Sequence, residues 1–181
     1  MLQELRSYYK NTLYEAGCDE AGRGCLAGPV FAAAVIIHPD KTIAGLQDSK
    51  KLSIGERERL RKEIELNALD YAVASVDEQE IDQINILQAS LKAMFKALSQ
   101  LRHPVQHVLV DGNKIIPQLS IPQTAIVRGD SLYQSIAAAS ILAKTYRDEF
   151  MLKIASEHPE YHWDRNKGYP SMLHRTAIVQ F

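Results

Sequence analysis

The stretch from Glu15 to Ile37, EAGCDEAGRGCLAGPVFAAAVII, contains an acidic pair, a glycine-rich turn and an apolar run in direct succession. The acidic pair is Asp19-Glu20, and the turn after it is Gly22-Arg23-Gly24. The apolar run over residues 30–37 predicts a buried strand that returns along the strand before it. Carboxylates at the end of a core strand are costly unless a cation compensates them, and a divalent metal is the usual cation for closely placed carboxylates. We therefore expect a metal site beside a turn whose backbone can approach a ligand closely.

A plainer interpretation of the acidic pair is a solvated strand end or a helix cap, which is the commoner role of an isolated Asp-Glu pair. The turn that follows favours the metal site. Two glycines around an arginine contribute nothing to a core and weaken any regular element, so a close backbone approach or a special dihedral explains them better.

The composition is typical of an ordinary globular domain, and we expect one domain over residues 1–181. Apolar residues make up 46% of the chain and charged residues 24%, which permits a sizeable core and excludes disorder. The formal net charge is −1, so any surface that binds nucleic acid must be local. Without a leader or an apolar run of membrane length, we expect a soluble cytoplasmic protein with no membrane partner.

The two cysteines, Cys18 and Cys25, flank the acidic pair. Their spacing fits neither a zinc knuckle nor a thioredoxin-type motif. We expect them to be reduced, buried thiols.

Hydrophobic patterning predicts strands that alternate with helices. The predicted strands cover residues 14–18, 30–37, 71–76, 107–110 and 124–127. The predicted helices include a short one over residues 2–9 and a charge-rich one that Ser53 caps, with Glu56 at capping-box spacing. A long helix is expected from residue 81 onwards, with Met94 and Phe95 in the core. Ser131 is expected to cap the alanine-rich helix that follows.

Three of the predicted strands end in acids, namely Asp19 with Glu20, then Asp111, then Asp130. In an open sheet, ligands gather where strand ends and helix starts meet, so these acids can converge. Four carboxylates at one place repel one another strongly, and two divalent cations would turn that repulsion into binding. Two-metal sites activate a water and neutralise phosphoryl charge. The expected chemistry is phosphodiester hydrolysis.

Several motifs occur in one order along nearly the whole chain: DEAGRG at 19–24, DSKKLS at 48–53, DG at 111–112, RGD at 128–130, IAAASILAKTYRD at 136–148 and NKGY at 166–169. In these residues the sequence resembles the type 2 ribonucleases H, specifically the bacterial ribonuclease HII family. The resemblance implies an α/β, ribonuclease H-like fold. Three antiparallel strands would join two parallel ones in a five-stranded sheet with helices on both faces and a helical C-terminal part over about residues 150–181.

The resemblance also implies the roles of individual residues. Asp19, Glu20, Asp111 and Asp130 resemble the four carboxylates that hold two divalent cations, magnesium or manganese. The turn residues Gly22, Arg23 and Gly24 resemble the motif that meets the ribose 2′-hydroxyl, and Tyr169 resembles the tyrosine that stacks near the ribonucleotide-to-DNA junction. Lys50, Ser140 and Lys144 are expected to bind the phosphate backbone, although Lys50 and its neighbour Lys51 also read as ordinary surface lysines. Asp148 is expected to form a helical ion pair or to cap the next segment.

The activity implied is an endonuclease that cuts RNA in RNA-DNA hybrids and incises duplex DNA on the 5′ side of embedded ribonucleotides. Its partners would be those nucleic acids, and the protein would be a monomer. Two alternatives fit the sequence less well. A 3′-to-5′ exonuclease of related fold normally separates Asp and Glu of its first motif by one residue, whereas Asp19 and Glu20 are adjacent. A non-catalytic hybrid-binding module should lack one of the four acids, and all four are present. Family members usually continue beyond the segment around His174, so the C-terminus is expected to be either trimmed or short, with the active site complete.

Overall fold

The structure is a computed structural model that describes residues 5–47 and 49–181. Asp48 of the predicted polar loop and residues 2–4 of the predicted first helix lie outside the described residues. Residues 5–9 form no helix, so the prediction was wrong for this part. Here Arg6 makes an isolated parallel bridge with Tyr133.

Five strands form one mixed sheet in the described part of the chain. They are β1 (Glu15–Ala21), β2 (Val30–Ile36), β3 (Asp70–Val76), β4 (His107–Asp111) and β5 (Gln123–Ile126), in the order β3-β2-β1-β4-β5. The pairs β1–β2 and β2–β3 are antiparallel, whereas β1–β4 and β4–β5 are parallel. This arrangement confirms the predicted α/β fold and its division into three antiparallel and two parallel strands.

Helices cover both faces of the sheet and form the C-terminal part. They are α1 (Ile54–Asn67), α2 (Glu78–Ile84), α3 (Ile86–Ser99), α4 (Gln134–Ala155), α5 (Trp163–Asn166) and α6 (Met172–Gln180), with short 3-10 helices at Ser49–Lys51, Gly129–Ser131 and Pro159–Tyr161. Among the described helices, none is both long and apolar enough to cross a membrane.

Strand β2, which lies between β3 and β1, is buried on both faces because its side chains alternate between two cores. Residues 30, 32, 34 and 36 pack with α3, and residues 33 and 35 pack with α1 and α4. The alternation explains why β2 is apolar throughout. The pairing of β2 with β1 also fixes the positions of Asp19 and Glu20, which lie opposite Ala33 and Ala32.

Three predictions about helices differ from the structure. The long helix expected from residue 81 is two helices, because Asn85 adopts a left-handed φ of 67° and its side chain caps α3. Met94 is buried, but Phe95 is 38% exposed and is not a core residue. Ser131 lies in a 3-10 turn, and α4 begins three residues later after Tyr133. The predicted capping box of Ser53 and Glu56 is confirmed.

Gly17 lies where β1 touches the beginning of α4. A Cβ atom at this position would lie 2.3 Å from the carbonyl carbon of Ser135 and 2.4 Å from the backbone nitrogen of Ile136. Because both atoms belong to backbone, neither can rotate away. The close contact between β1 and α4 therefore requires glycine here. The contact also fixes the distance between α4 and β1, the strand that contains the acidic pair.

We expect Gly17→Ala to destabilise the protein, because overpacking a rigid contact costs about 1–3 kcal/mol or more. The melting temperature should fall by about 2 to 4 °C for each kcal/mol lost. The control is Gly55→Ala in α1, where a Cβ atom meets nothing within 4 Å; it should be neutral or stabilising by roughly 0.5–1 kcal/mol. Equal melting temperatures for Gly17→Ala and the wild type would contradict the contact.

Candidate functional site

The strand register brings two of the predicted acids side by side. Cys18 of β1 pairs with Val110 of β4, so Asp19 and Asp111 are the next residues on two adjacent parallel strands. Asp19 and Glu20 lie inside β1 rather than beyond its end, and Asp111 is the last residue of β4. The acids therefore converge as the sequence predicted, from positions slightly different from those expected.

Asp130 reaches the same region through a turn that wraps around Asp111. The Asp111 Oδ1 atom accepts a hydrogen bond of 2.7 Å from the Gly129 amide, and the Asp130 amide also donates to this carboxylate. Arg128 makes the turn in the left-handed region, with φ 58°. A Cβ atom on Gly129 would lie 2.4 Å from the Ile136 Cδ1 atom. The turn thus holds Asp130 in a buried position. The prediction that Asp130 ends a strand was wrong, because β5 ends at Ile126 and Asp130 lies in the 3-10 helix that follows.

Asp19, Glu20 and Asp111, here called the carboxylate cluster, have raised pKa values. Burial is the largest cause for each of the three. The charges of Glu20 and Asp111 raise the pKa of Asp19 further, so that it lies well above its ordinary value. The positive charge of Lys50 opposes the pKa increase at Glu20 and at Asp111. The cluster therefore concentrates like charge in a place where water screens it poorly.

Each carboxylate in the cluster binds a donor of the protein itself. Asp19 Oδ1 accepts from the Glu20 amide at 2.7 Å, and Glu20 Oε1 accepts from Arg23 Nη1 at 3.0 Å. With the side chains in these positions, no three His, Cys, Asp or Glu residues within 5–47 and 49–181 are arranged to hold one metal ion. The chemistry of the donors nevertheless fits a hard divalent cation, because buried carboxylate oxygens that repel one another are its preferred ligands.

Ser140 lies behind Asp19 rather than on the surface. It is buried in α4, hydrogen-bonds to the Asp19 carboxylate, and shares a 2.9 Å hydrogen bond with the Ser49 hydroxyl. These contacts connect Asp19 to the 3-10 helix that carries Lys50. The phosphate-binding role of Ser140 stays a prediction, and its visible role is to support Asp19.

The two glycines of the predicted turn differ in what they require. Gly22 has φ 117°, and a Cβ atom there would lie 2.6 Å from Arg147 Nε. At Gly24 a Cβ atom would meet nothing within 4 Å. The fold itself therefore demands glycine at 22, whereas the space beside Gly24 is open to a ligand. Arg23, between them, has a half-exposed side chain paired with Glu20.

Tyr169 presents a partly exposed ring near this turn. Lys144 Nζ lies 5.1 Å from the ring centroid, and the Tyr169 hydroxyl hydrogen-bonds with the Cys25 thiol. Burial raises the pKa of Tyr169, with a further increase from Cys25. Lys144 also forms a 2.7 Å ion pair with Asp148, which confirms the helical ion pair expected for that acid. The two cysteines are free thiols; Cys18 is buried as predicted, while Cys25 is only partly so.

Two residues beside this site were given no part in it by the sequence. Arg147 is fully buried in α4 and donates to the backbone carbonyls of neighbouring loops. His174 is also fully buried. Its Nδ1 atom donates to the Tyr169 carbonyl at 3.0 Å, and its Nε2 atom accepts from Trp163 Nε1 at 2.9 Å. This pattern requires a neutral imidazole with the proton on Nδ1.

Residues 16–181 match the model of the ribonuclease HII family. The chain belongs to this family. It is 55% identical over 174 residues to the ribonuclease HII of Parabacteroides distasonis, covering 96% of this chain and 87% of that one. The ribonuclease H2 of Pyrococcus horikoshii has a similar structure, with a TM-score of 0.77 at 29% identity over 92% of this chain and 85% of that one. Bst-RNase HIII, in a complex with Mn²⁺, shares the fold with a TM-score of 0.68 at 18% identity, over 93% of this chain and 70% of that one.

Membership of the ribonuclease HII family makes the chain a ribonuclease H, a hydrolase whose family acts on RNA-DNA hybrids. A non-catalytic binding module is therefore not supported. The exonuclease alternative is not supported either, because the family that matches the chain is that of an endonuclease.

The raised pKa values in the cluster predict how stability depends on pH without metal. A carboxyl whose pKa is higher in the folded state stabilises the fold fully below its unfolded pKa, and this stability is lost as pH rises through the folded pKa. In EDTA, the melting temperature should therefore fall as the pH rises above the ordinary carboxyl range. Asp19→Asn should weaken this decrease, because it removes the group with the strongest like-charge interactions.

The control for that measurement is Asp164→Asn, which neutralises an exposed acid. It should retain the pH dependence of the wild type. If Asp19→Asn and the wild type lose stability in parallel over this range, like-charge repulsion in the cluster is not what limits the metal-free fold.

Proposed function

We propose that this ribonuclease H cuts the RNA strand of RNA-DNA hybrids and also incises duplex DNA on the 5′ side of an embedded ribonucleotide. The products would carry 3′-hydroxyl and 5′-phosphate ends. The observation that carries the proposal is the hydrogen bond of 2.8 Å from the Leu26 amide to the Gly168 carbonyl, which connects the open turn at Gly24 to the ring of Tyr169. The turn follows the carboxylate cluster directly in the chain, and its Arg23 pairs with Glu20 of the cluster, so recognition and hydrolysis can take place at one nucleotide junction.

In this proposal the carboxylates bind metal ions. Asp19, Glu20, Asp111 and Asp130 would hold two divalent cations, magnesium or manganese. When bound, such ions activate the attacking water and stabilise the leaving 3′-oxygen. The raised pKa values support this assignment, because a cation would compensate both the burial and the like charge that raise them.

Arg23 has a second role in the same step. Its guanidinium is half-exposed and pairs with Glu20 at 3.0 Å. When Glu20 binds a cation instead, the guanidinium becomes free to bind a phosphate oxygen, for which its fork of N–H donors is well suited. The pair would thus keep Glu20 neutralised until substrate and metal arrive together.

A single 2′-hydroxyl is the only chemical mark of one ribonucleotide in DNA, so recognition has to depend on hydrogen bonds and on shape. The backbone at Gly24 has open space in which to meet the hydroxyl. The exposed face of Tyr169 can pack against the sugar of the next nucleotide. Lys50 and Lys144 would bind flanking phosphates, and Ser140 would hold Asp19 in place. We propose that the enzyme works in the cytoplasm as a single-domain monomer.

The experiment that tests the function is cleavage of a labelled duplex with one ribonucleotide, in magnesium and in manganese. The wild type should make one cut on the 5′ side of the ribonucleotide. Asp111→Asn should reduce turnover by about a hundredfold or more, because it removes one of the proposed ligands. Glu149→Gln, which neutralises an exposed acid paired with Arg61, is the control and should cut normally. Cleavage at many deoxyribonucleotide positions would contradict the proposal.

Variants of Tyr169 test how the junction is recognised. Tyr169→Ala should lower cleavage at a single ribonucleotide by about tenfold or more, since a lost stacking partner costs about 1 to 3 kcal/mol. Tyr169→Phe keeps the ring and loses only the hydroxyl that meets Cys25, so it should retain part of the activity. The measurement is kcat/KM on duplexes with and without the 2′-hydroxyl. Unchanged discrimination in Tyr169→Ala would rule out the ring as a sensor.

A further inference from the structure

Arg147 is a fully buried cation whose hydrogen-bond acceptors are all backbone carbonyls. Nε donates to Pro29 at 3.0 Å, Nη1 to Lys167 at 2.7 Å and Nη2 to Ala27 at 3.0 Å. Within the described residues, no carboxylate forms an ion pair with it. A buried charge is tolerated only when its donors are satisfied, so these three carbonyls must stay close to the guanidinium.

The three acceptors belong to two different loops. Ala27 and Pro29 lie in the turn segment, residues 22–29, between β1 and β2. Lys167 begins the tyrosine segment, residues 167–169. The guanidinium therefore bridges the loop that contains the glycine turn and the loop that contains Tyr169, and its Cζ atom lies 5.9 Å from the centroid of the Tyr169 ring.

The contact between the two segments has no spare room. A Cβ atom on Gly168 would lie 2.5 Å from the Ala27 carbonyl oxygen, and one on Gly22 would lie 2.6 Å from Arg147 Nε. The Leu26 amide closes the contact by donating to the Gly168 carbonyl. A shift of the guanidinium would therefore be transmitted to both segments at once, because packed atoms cannot absorb it.

We propose that Arg147 is a positioning residue that sets the distance between the Gly24 backbone and the Tyr169 ring. The spacing of the two segments then matches the two nucleotides of a ribonucleotide-to-deoxyribonucleotide junction; this inference rests on the proposed function. Every nucleotide in the RNA strand of a continuous hybrid is a ribonucleotide, so cleavage of the hybrid tolerates a change in this spacing. A duplex with one ribonucleotide can bind productively in only one register, so its cleavage does not tolerate such a change.

The test is Arg147→Lys, which keeps the charge but cannot donate to three carbonyls with a planar fork. The ratio of kcat/KM on the single-ribonucleotide duplex to kcat/KM on the hybrid should fall by about tenfold or more, since charged hydrogen bonds are lost. Hydrogen exchange at the Leu26 amide should also become faster. A role in stability alone would lower cleavage of both substrates equally and leave the ratio unchanged.

Arg61→Lys is the matched control. Arg61 connects α1 to α4 through Glu149 and the ring of Tyr146, and it contacts neither segment. This variant should keep both the ratio and the exchange rate of the Leu26 amide.

Gly168→Ala perturbs the same contact with Arg147 intact, and it decides the question if Arg147→Lys does not fold. It should lower the ratio in the same direction. A wild-type ratio in the folded variants would overturn the proposal. Failure of the wild-type enzyme to cut a single-ribonucleotide duplex would instead overturn the proposed function, so the two failures are distinct.

Discussion

Repulsion among buried carboxylates is the constraint on which this structure depends. Burial raises the pKa of Asp19, Glu20 and Asp111, and nearby negative charge raises the pKa of Asp19 and Glu20 further. Burying these carboxylates costs folding free energy in the absence of a cation, so the packing of an apolar core does not explain the arrangement. The surroundings limit that cost: Arg23, Lys50, Ser140 and the amides of the 129–130 turn each provide positive charge or a hydrogen bond. These contacts stabilise the carboxylates in the fold and leave a set of oxygen donors that fits a divalent cation.

The sheet supplies the rigidity that holds these charges together. β1 lies at the centre of the strand order and pairs antiparallel on one side and parallel on the other. Its register with β4 brings Asp19 beside Asp111, and its contact with α4 at Gly17 fixes the helix that carries Ser140 and Arg147. One helix therefore supports the carboxylates at one turn and, about two turns later, the turn segment and the tyrosine segment. Sites built on regular elements keep their geometry better than sites on loops alone.

Much of this could be predicted from the sequence, and the parts that could not have physical reasons. Apolar patterning identified β1 to β4 because one face or both faces of each of these strands are buried. The break at Asn85 was missed, since its left-handed φ interrupts a hydrophobic stripe that continues across it. Phe95 follows a core residue on the same helix, and sequence alone could not separate the two. Arg147 was missed because a buried arginine bound to carbonyls leaves no partner acid in the sequence to reveal it.

The motif Gly22-Arg23-Gly24 shows how one short pattern can combine separate requirements. Gly22 is needed by the fold, since its φ is positive and Arg147 occupies the space where a side chain would begin. Gly24 meets no such restriction from the protein, so in the proposed function its missing side chain leaves room for the ligand. Arg23 links the two by neutralising Glu20. A substitution at Gly22 therefore reports on folding and on the Arg147 contact, whereas a substitution at Gly24 reports on the ligand.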